Sequence, residues 1–390
     1  MRSFNHLFYN EKTKVAIAGL GFIGPAHVEA LRRIPYIEVV AISDKDELSA
    51  QTKAQHLGIE QYTANFDRLL DMDIDSVHIC TPNNLHFAMA KKALEAGKHV
   101  ICEKPLAITI DEARELVMLA EAKKLVNAVH FNIRYYPLVR QMKIMREKGE
   151  LGEIYSIIGS YLQDWLFYDT DYNWRLEPGQ SGQSRAIADI GSHLLDLLEY
   201  ISGQEIVAVM ADLNTVHKTR KKPLKPIDTY SGMLLKPEDF VEVGISTEDH
   251  ANVLLRFGNG NRGAITVSQV AAGRKNRLSI EIAGSKQSFA WNSEQPNELW
   301  LGKRDAPNGL LLRDPSLMHE ACRPLVAFPG GHNEGFPDTS RQLFGEVYAA
   351  IWSGDQSLPA YPTFRDGLRE LILCESIIES NKKQDWVSIT

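Results

Sequence analysis

Asp189 and His193 stand four residues apart in the run Asp189-Ile190-Gly191-Ser192-His193-Leu194-Leu195-Asp196, a spacing that puts two side chains on one face of a helix. Oxidising a secondary alcohol needs a neutral base at the hydroxyl while the carbon gives up a hydride, and an imidazole with an ordinary pKa near 6.5 suits that task. Lys104, within Glu103-Lys104-Pro105, offers a cation that would stabilise the developing alkoxide. At about 4 Å and an effective dielectric of about 20, Lys104 and His193 would repel by roughly 4 kcal/mol, equivalent to about three pKa units, which keeps the ring unprotonated at neutral pH. Asp189 then orients the imidazole or a substrate hydroxyl. The competing readings are a purely structural helix acid and core histidine, and a metal set of Asp189, His193 and Asp196 with His332 and Glu334 as further candidates. The hydride reading is preferred, with no metal.

The same chain opens with Gly19-Leu20-Gly21-Phe22-Ile23-Gly24, placed after an apolar run at 14–18 and before a helix over 25–33. In that context the first glycine permits a tight turn, the second lets a pyrophosphate approach the backbone, and the third lets helix and strand pack closely. The phosphate charge then meets the positive end of the helix. Asp44 lies 20 positions beyond the last glycine (44 − 24 = 20), where an acid accepts hydrogen bonds from the adenine ribose. Its charge would repel a 2′-phosphate, so NAD is expected in preference to NADP, with Lys45 as a partly compensating cation. Thr81-Pro82-Asn83-Asn84-Leu85-His86 follows a strand over 76–80 at the carboxyl edge of the sheet, so Thr81, Asn83 and His86 join the cofactor set, although a capping role would also account for Asn83.

The elements that must position these groups fall into two patterns. Up to residue 131, strands at 14–18, 37–42, 76–80, 98–102 and 125–129 alternate with helices, and strands apolar on both faces predict a parallel sheet covered on each side. From 132 to 390 a helix over 135–148, a strand over 153–161 and a helix opened by Asp189 are followed by β-like runs at 205–216, 251–258, 261–271, 277–284 and 286–292. These predict a large, mostly antiparallel open sheet, supported by the turn chemistry of Gly258-Asn259-Gly260. The stretch 302–337 reads as a long Gly/Pro-rich loop, and helices near 338–353 and 364–381 close the chain. Lys218, Arg220, Lys221, Lys222 and Lys225, beside two prolines, read as a solvated loop.

Composition narrows the class. At 390 residues with 44% hydrophobic and 24% charged residues, the chain suits an α/β protein of two domains. A formal net charge of -7 provides no basic field for nucleic acid or anionic membrane, so a small molecule is the expected partner. Cys80, Cys102, Cys322 and Cys374 lack Cys-x-x-Cys spacing and read as buried apolar residues in a reducing compartment. Met1 to Lys14 lacks the apolar core of a secretory signal, and no run approaches the roughly 20 residues of a membrane helix, so a cytoplasmic location is expected.

With these motifs in hand, the chain resembles the glucose-fructose oxidoreductase, inositol dehydrogenase and MocA (Gfo/Idh/MocA) family. The resemblance runs through Gly19 to Gly24, Thr81-Pro82-Asn83, Glu103-Lys104-Pro105, His130 to Pro137, Asn173-Trp174-Arg175, and Asp189 to Asp196. It implies a Rossmann domain at 1–131 and a substrate-binding, oligomerising α+β domain at 132–390, assembled as a homodimer or homotetramer. It also implies Lys104, Asp189 and His193 as a catalytic trio meeting at an interdomain crevice, and Gly19, Gly21, Gly24 and Asp44 as cofactor contacts, with Phe22, Ile23 and Glu103 completing that set. Sugars or cyclic polyols are the implied substrates, the chain being similar to the pyranose and anhydrosugar dehydrogenases. Gln163, Trp165, Tyr172, Trp174, Arg175 and His332 are the candidate sugar contacts. Where many members carry three glycines ahead of the Asp-x-x-x-His pair, this chain has Ser181-Gly182-Gln183-Ser184-Arg185. An NAD-dependent glycosidase and a non-catalytic sugar sensor are the alternatives.

Overall fold

The computed structural model describes residues 12–224, 237–355, 357 and 359–389. The chain divides into two compact units, the first made of residues up to Asn132 together with Phe336–Arg369, the second of Ile133–Gly335 together with the residues from Glu370 onward. The boundary expected after residue 131 is therefore crossed again at 336, where the chain returns to the first unit.

In the N-terminal unit six strands, β1 (Thr13–Ala18), β2 (Ile37–Ser43), β3 (Gln61–Thr63), β4 (Ser76–Ile79), β5 (His99–Cys102) and β6 (Asn127–Val129), form one sheet in the order β3-β2-β1-β4-β5-β6. Every pair is parallel. Helices α1 (Ile23–Arg32), α2 (Glu47–Leu57), α3 (Phe66–Leu70), α4 (His86–Glu95) and α5 (Ile110–Lys123) connect the strands. Side chains of β1 and β4, Val15, Ile17, Val77 and Ile79 among them, have no solvent exposure, as strands covered on both faces require. Helix ends follow local chemistry: Asp46 accepts from Ser49 N and Gly58 closes α2 in the left-handed region, while Thr109 accepts from Glu112 N to open α5. The expected strands and helices of this half are all present; β3 and α3 add to them.

The C-terminal unit carries α6 (Pro137–Glu147), β7 (Ile154–Leu162), a one-turn helix α7 (Pro178–Ser181), α8 (Ser192–Ser202), β8 (Ile206–Asn214), β9 (Thr219–Pro223), β10 (Phe240–Gly244), β11 (His250–Phe257), β12 (Arg262–Ser268), β13 (Arg277–Gly284), β14 (Ser288–Asn292), β15 (Glu298–Gly302) and β16 (Gly309–Leu312). After α9 (Phe336–Ser353) and α10 (Phe364–Lys383) the chain ends in β17 (Val387–Ser388). Nine strands form an open sheet in the order β16-β15-β14-β13-β7-β12-β11-β8-β17. Only the β7–β12 pair in this sheet is parallel, so the expected mostly antiparallel sheet is what forms. Its inner face (Ile157, Val253, Leu255, Val267, Ile280, Ile282) packs with Leu194, Leu197 and Leu198 of α8 in one apolar core. At Gly159 of β7 a Cβ would lie 2.8 Å from Leu194 Cδ1, so the helix seats against the sheet because that strand position has no side chain.

Two expectations for this half are corrected. The basic run at 218–225 is not a solvated loop: β9 pairs with β10, and Arg220 is 1% exposed, because a buried carboxylate waits for its guanidinium; Lys225 lies outside the described residues. The 302–337 stretch contains β16 and a short 3₁₀ segment, Glu320–Leu325. All four cysteines are buried and free. Among the described residues no helix is long and apolar enough to cross a membrane.

Candidate active site and cofactor cradle

The glycine-rich turn leaves β1 at Gly19, whose φ is +89°. A Cβ there would lie 2.7 Å from the Cys80 carbonyl and 2.8 Å from Thr81 N, and one at Gly24 would lie 2.2 Å from Gly19 O, whereas nothing lies within 4 Å of a Cβ at Gly21. The first and third glycines are thus demanded by the fold, and the second faces open space. Gly19 N also donates to Ser43 O at 2.9 Å, which ties the turn to the end of β2. Strand order reverses between β1 and β4 at this edge, where doubly wound sheets bind their ligands. Residues and space fit a dinucleotide pyrophosphate over Gly21, ahead of α1, which opens without a side-chain cap. Phe22 is 65% exposed beside this space, and Ile23 begins the helix.

Asp44 follows β2 and is half-buried. Its carboxylate accepts from Lys45 N (2.9 Å), from Ser49 Oγ (2.6 Å) and from Lys53 Nζ. Burial alone would raise its pKa, but the bonds from Lys53 and Ser49 prevail and lower it. Across the edge, His86 joins two loops, its Nδ1 lying 2.7 Å from Pro105 O and its Nε2 2.8 Å from Thr81 O. The Thr81-Pro82-Asn83 turn and the Glu103-Lys104-Pro105 turn are thereby fixed together. Asn83 is buried in a 3₁₀ turn, Asn83–Leu85. Lys104 is half-buried in the N-terminal unit, and its backbone N–H donates to Glu103 Oε2 at 3.3 Å.

Beneath Lys104 lies a buried cluster of which the sequence reading named Glu103 and, within the family resemblance, His130. The Glu103 Oε1 atom lies 3.0 Å from His27 Nε2 and 2.7 Å from His130 Nδ1; His27 Nδ1 lies 2.9 Å from His78 Nδ1, and His78 Nε2 is 2.9 Å from the Tyr348 hydroxyl, which is 2.8 Å from Ser76 Oγ. Burial pulls His27 down to about 4 and His78 well below the usual range. Burial would raise Glu103, but His130 and His27 overcome it and hold the carboxyl well below its ordinary value. These states fix the direction of every bond. An ionised Glu103 only accepts, so neutral His27 donates from Nε2 and accepts at Nδ1; His78 must then donate from Nδ1 and accept at Nε2 from Tyr348, which accepts from Ser76. Donors point toward Glu103 along the whole chain. His27, Glu103 and His130 are also the group among the described residues whose donor atoms lie close enough to share a metal ion, but separations of 2.7 and 3.0 Å are those of groups hydrogen-bonded to each other. Glu103 is 8% exposed and serves as the anchor of this cluster.

In the C-terminal unit Asp189 does not open an α-helix. It sits in a π-helical turn, Ile187–Gly191, that runs into α8, the kind of bulge that often marks a functional position. Glu248 Oε1 accepts from Ser184 Oγ (2.7 Å), Arg185 N (2.9 Å) and Ile187 N (3.0 Å), so a side chain from the strand region caps this helix entry. Next to it, buried Arg185 and Arg220 share Asp249 at 3.2 and 3.4 Å, and Arg220 donates to the backbone oxygens of Leu166, Tyr168 and Asp171, fixing the aromatic loop. Burial lowers the Arg220 pKa to about 10.

Asp189 receives Arg175 Nε at 3.3 Å and Gln269 Nε2 at 3.0 Å, and the Arg175 guanidinium stacks 4.6 Å from the Trp174 ring. His193 is 8% exposed, its ring 6.5 Å from that of Tyr161. Gln163 donates to Asn276 Oδ1 at 2.7 Å, beside Tyr161. Tyr172 contacts Glu177, which pairs with Lys222. The structure therefore brings Asp189, Arg175 and Trp174 together, and places His193 and Gln163 each beside Tyr161. His332 is exposed in its loop. Of the alternative metal set, Asp196 is 3% exposed and receives Arg134 Nε at 3.0 and 2.8 Å, and Glu334 is held by Arg313 at 2.9 Å, so both carboxylates are committed to arginines. Gln269, Asn276, Glu248 and Asp249 escaped the sequence reading, which had no means of pairing polar residues at strand ends with partners 60 or more positions away.

Residues 13–131 match the family model described as "Oxidoreductase family, NAD-binding Rossmann fold", and residues 139–290 match the GFO/IDH/MocA C-terminal domain. A levoglucosan dehydrogenase of Pseudarthrobacter phenanthrenivorans is 31% identical over 97% of this chain and 98% of its own. Among solved structures, levoglucosan dehydrogenase in complex with NADH and L-sorbose superposes with a TM-score of 0.87 at 30% identity, covering 97% of this chain and 99% of that one. An inositol dehydrogenase homolog from Azotobacter vinelandii complexed with NAD+ gives 0.86 at 26% identity, covering 98% of each chain.

Proposed function

The chain belongs to the Gfo/Idh/MocA family of NAD-binding oxidoreductases, and from that premise we propose that it interconverts a secondary hydroxyl and a ketone on a pyranose-like sugar, anhydrosugar or cyclic polyol. The observation that carries this reading is the state of Asp189: a carboxylate on a π turn, held by Arg175 and Gln269, four positions ahead of His193.

NAD, when bound over Gly21, supplies the hydride acceptor or donor. His193 takes the hydroxyl proton at its imidazole as the C–H bond breaks, and returns it in the reverse direction. Asp189 orients that ring or a neighbouring substrate hydroxyl, and the Lys104 ammonium stabilises the alkoxide. The proton ends on water after leaving His193, so the oxidation balances as alcohol to ketone with one hydride and one proton released. Trp174 offers an apolar face, and Arg175, Gln163 and His332 offer polar contacts, for a sugar ring. A cytoplasmic homodimer or homotetramer completes the proposal. The self-association is supported by the outward row Met210, Leu254, Ala264 and Ile158, in register across four adjacent strands of the open sheet, with Leu254 and Ile158 half exposed.

Turnover of a panel of anhydrosugars, pyranoses and inositols, followed by NADH appearance, tests the reading. Oxidation of at least one class is expected. Failure with every alcohol and, with NADH, every ketone overturns it; glycoside cleavage without net NADH formation points to the glycosidase alternative.

A further inference from the structure

Asp44 is the carboxylate that a dinucleotide's adenine ribose should meet, yet it already holds three donors: Lys45 N, Ser49 Oγ and Lys53 Nζ. A carboxylate offers about four lone-pair sites, and two ribose hydroxyls need two of them. One donor must therefore leave when NAD binds. The backbone N–H of Lys45 is fixed by the turn, and Ser49 sits in the first turn of α2, so the mobile one is the Lys53 ammonium at the end of a flexible, partly exposed side chain.

Its position matters because the carboxylate that would meet the ribose hydroxyls of a bound dinucleotide is the one paired with this ammonium. A 2′-phosphate placed there meets Asp44 already paired with a cation, and the cation itself is a phosphate ligand. The neighbouring acids bond to backbone N–H groups rather than to Lys53. Asp46 is engaged with Ser49 N at 2.7 Å and Glu47 with Ala64 N at 2.8 Å. Lys45, the cation flagged by the sequence, is exposed and contacts Asp44 through its backbone N–H.

We propose that Lys53, acting through its ion pair with Asp44, is the residue that sets nucleotide choice and lets the protein bind NADP(H) as well as NAD(H). The proposal rests on the dinucleotide reading of the N-terminal unit. The test is equilibrium titration of the purified protein, of Lys53→Met and of Lys53→Arg with NADH and separately NADPH, read by nucleotide fluorescence. Wild-type protein should bind NADPH within about tenfold of NADH; Lys53→Met should lose about tenfold or more toward NADPH while binding NADH at least as tightly as the wild type, since the competing ammonium is gone, and Lys53→Arg should retain NADPH. NADH binding without NADPH binding in the wild type, or equal effects of Lys53→Met on both nucleotides, overturns the assignment. Binding of neither nucleotide overturns the dinucleotide reading along with it.

Discussion

His27 has no exposure to solvent, and burial holds its pKa at about 4 against 6.5 for a free ring. The unfolded chain therefore binds a proton at this position between those values and the folded chain does not. With more protons on the unfolded state, stability is fully present above pH 6.5 and is lost as the pH falls toward 4. Lowering the pH from about 7.5 to about 5.5 therefore costs about 1.4 kcal/mol through His27 alone. Glu103 is ionised in both states over that window and adds no slope there, since its carboxyl lies well below the usual range. His78, His86 and His99, whose pKa values are also lowered, contribute to the slope of wild-type and variant alike. In His27→Gln the amide donates to Glu103 without titrating. Urea denaturation of both proteins across this window should show the variant losing about 1.4 kcal/mol less than the wild type, whatever its absolute stability. Equal losses in the two proteins would refute the neutral-ring assignment and, with it, the direction of the bonds that run from Ser76 to Glu103.

His193→Ala and Lys104→Ala should each lower kcat by about 100-fold or more with NADH binding preserved by fluorescence titration, as removal of a base or of an alkoxide stabiliser does. Asp249→Asn leaves buried Arg185 and Arg220 without their shared carboxylate and should cost about 3–5 kcal/mol in denaturant unfolding. Gly21→Ala should fold with near-normal thermal stability but bind NADH far more weakly, because its methyl enters the open space over the turn. Gly24→Ala, with its methyl forced to 2.2 Å from Gly19 O, should be recovered mainly as aggregate; equal folding yields of the two would discard the cradle geometry.

The N-terminal sheet was readable because each of its main strands is an apolar run ending in turn residues, and because three glycines, an acid and Thr81-Pro82-Asn83 fall at successive strand ends. β3 went unseen because Gln61-Tyr62-Thr63 is too short to show a period. The π turn at Asp189 left no trace in the sequence, since Ile187 to Ser202 keeps a helical pattern whether one residue is bulged or not. Arg220 was misjudged because a run of cations reads as solvent-facing until Asp249, 29 positions later, is known to be buried against it. The histidine cluster was invisible for a similar reason: His27, His78, Glu103, His130 and Tyr348 come from different elements, and only tertiary packing makes them neighbours.

Tyr348 belongs to α9, a helix that the chain reaches only after building the whole of the second unit's main body. A ribosome releasing this protein from its amino end thus delivers six parallel strands long before it delivers the hydroxyl that His78 and Ser76 require. The nucleotide-binding half is born with its last wedge missing, and a nascent chain stalled near residue 330 should expose the groove that Phe344 and Tyr348 later fill.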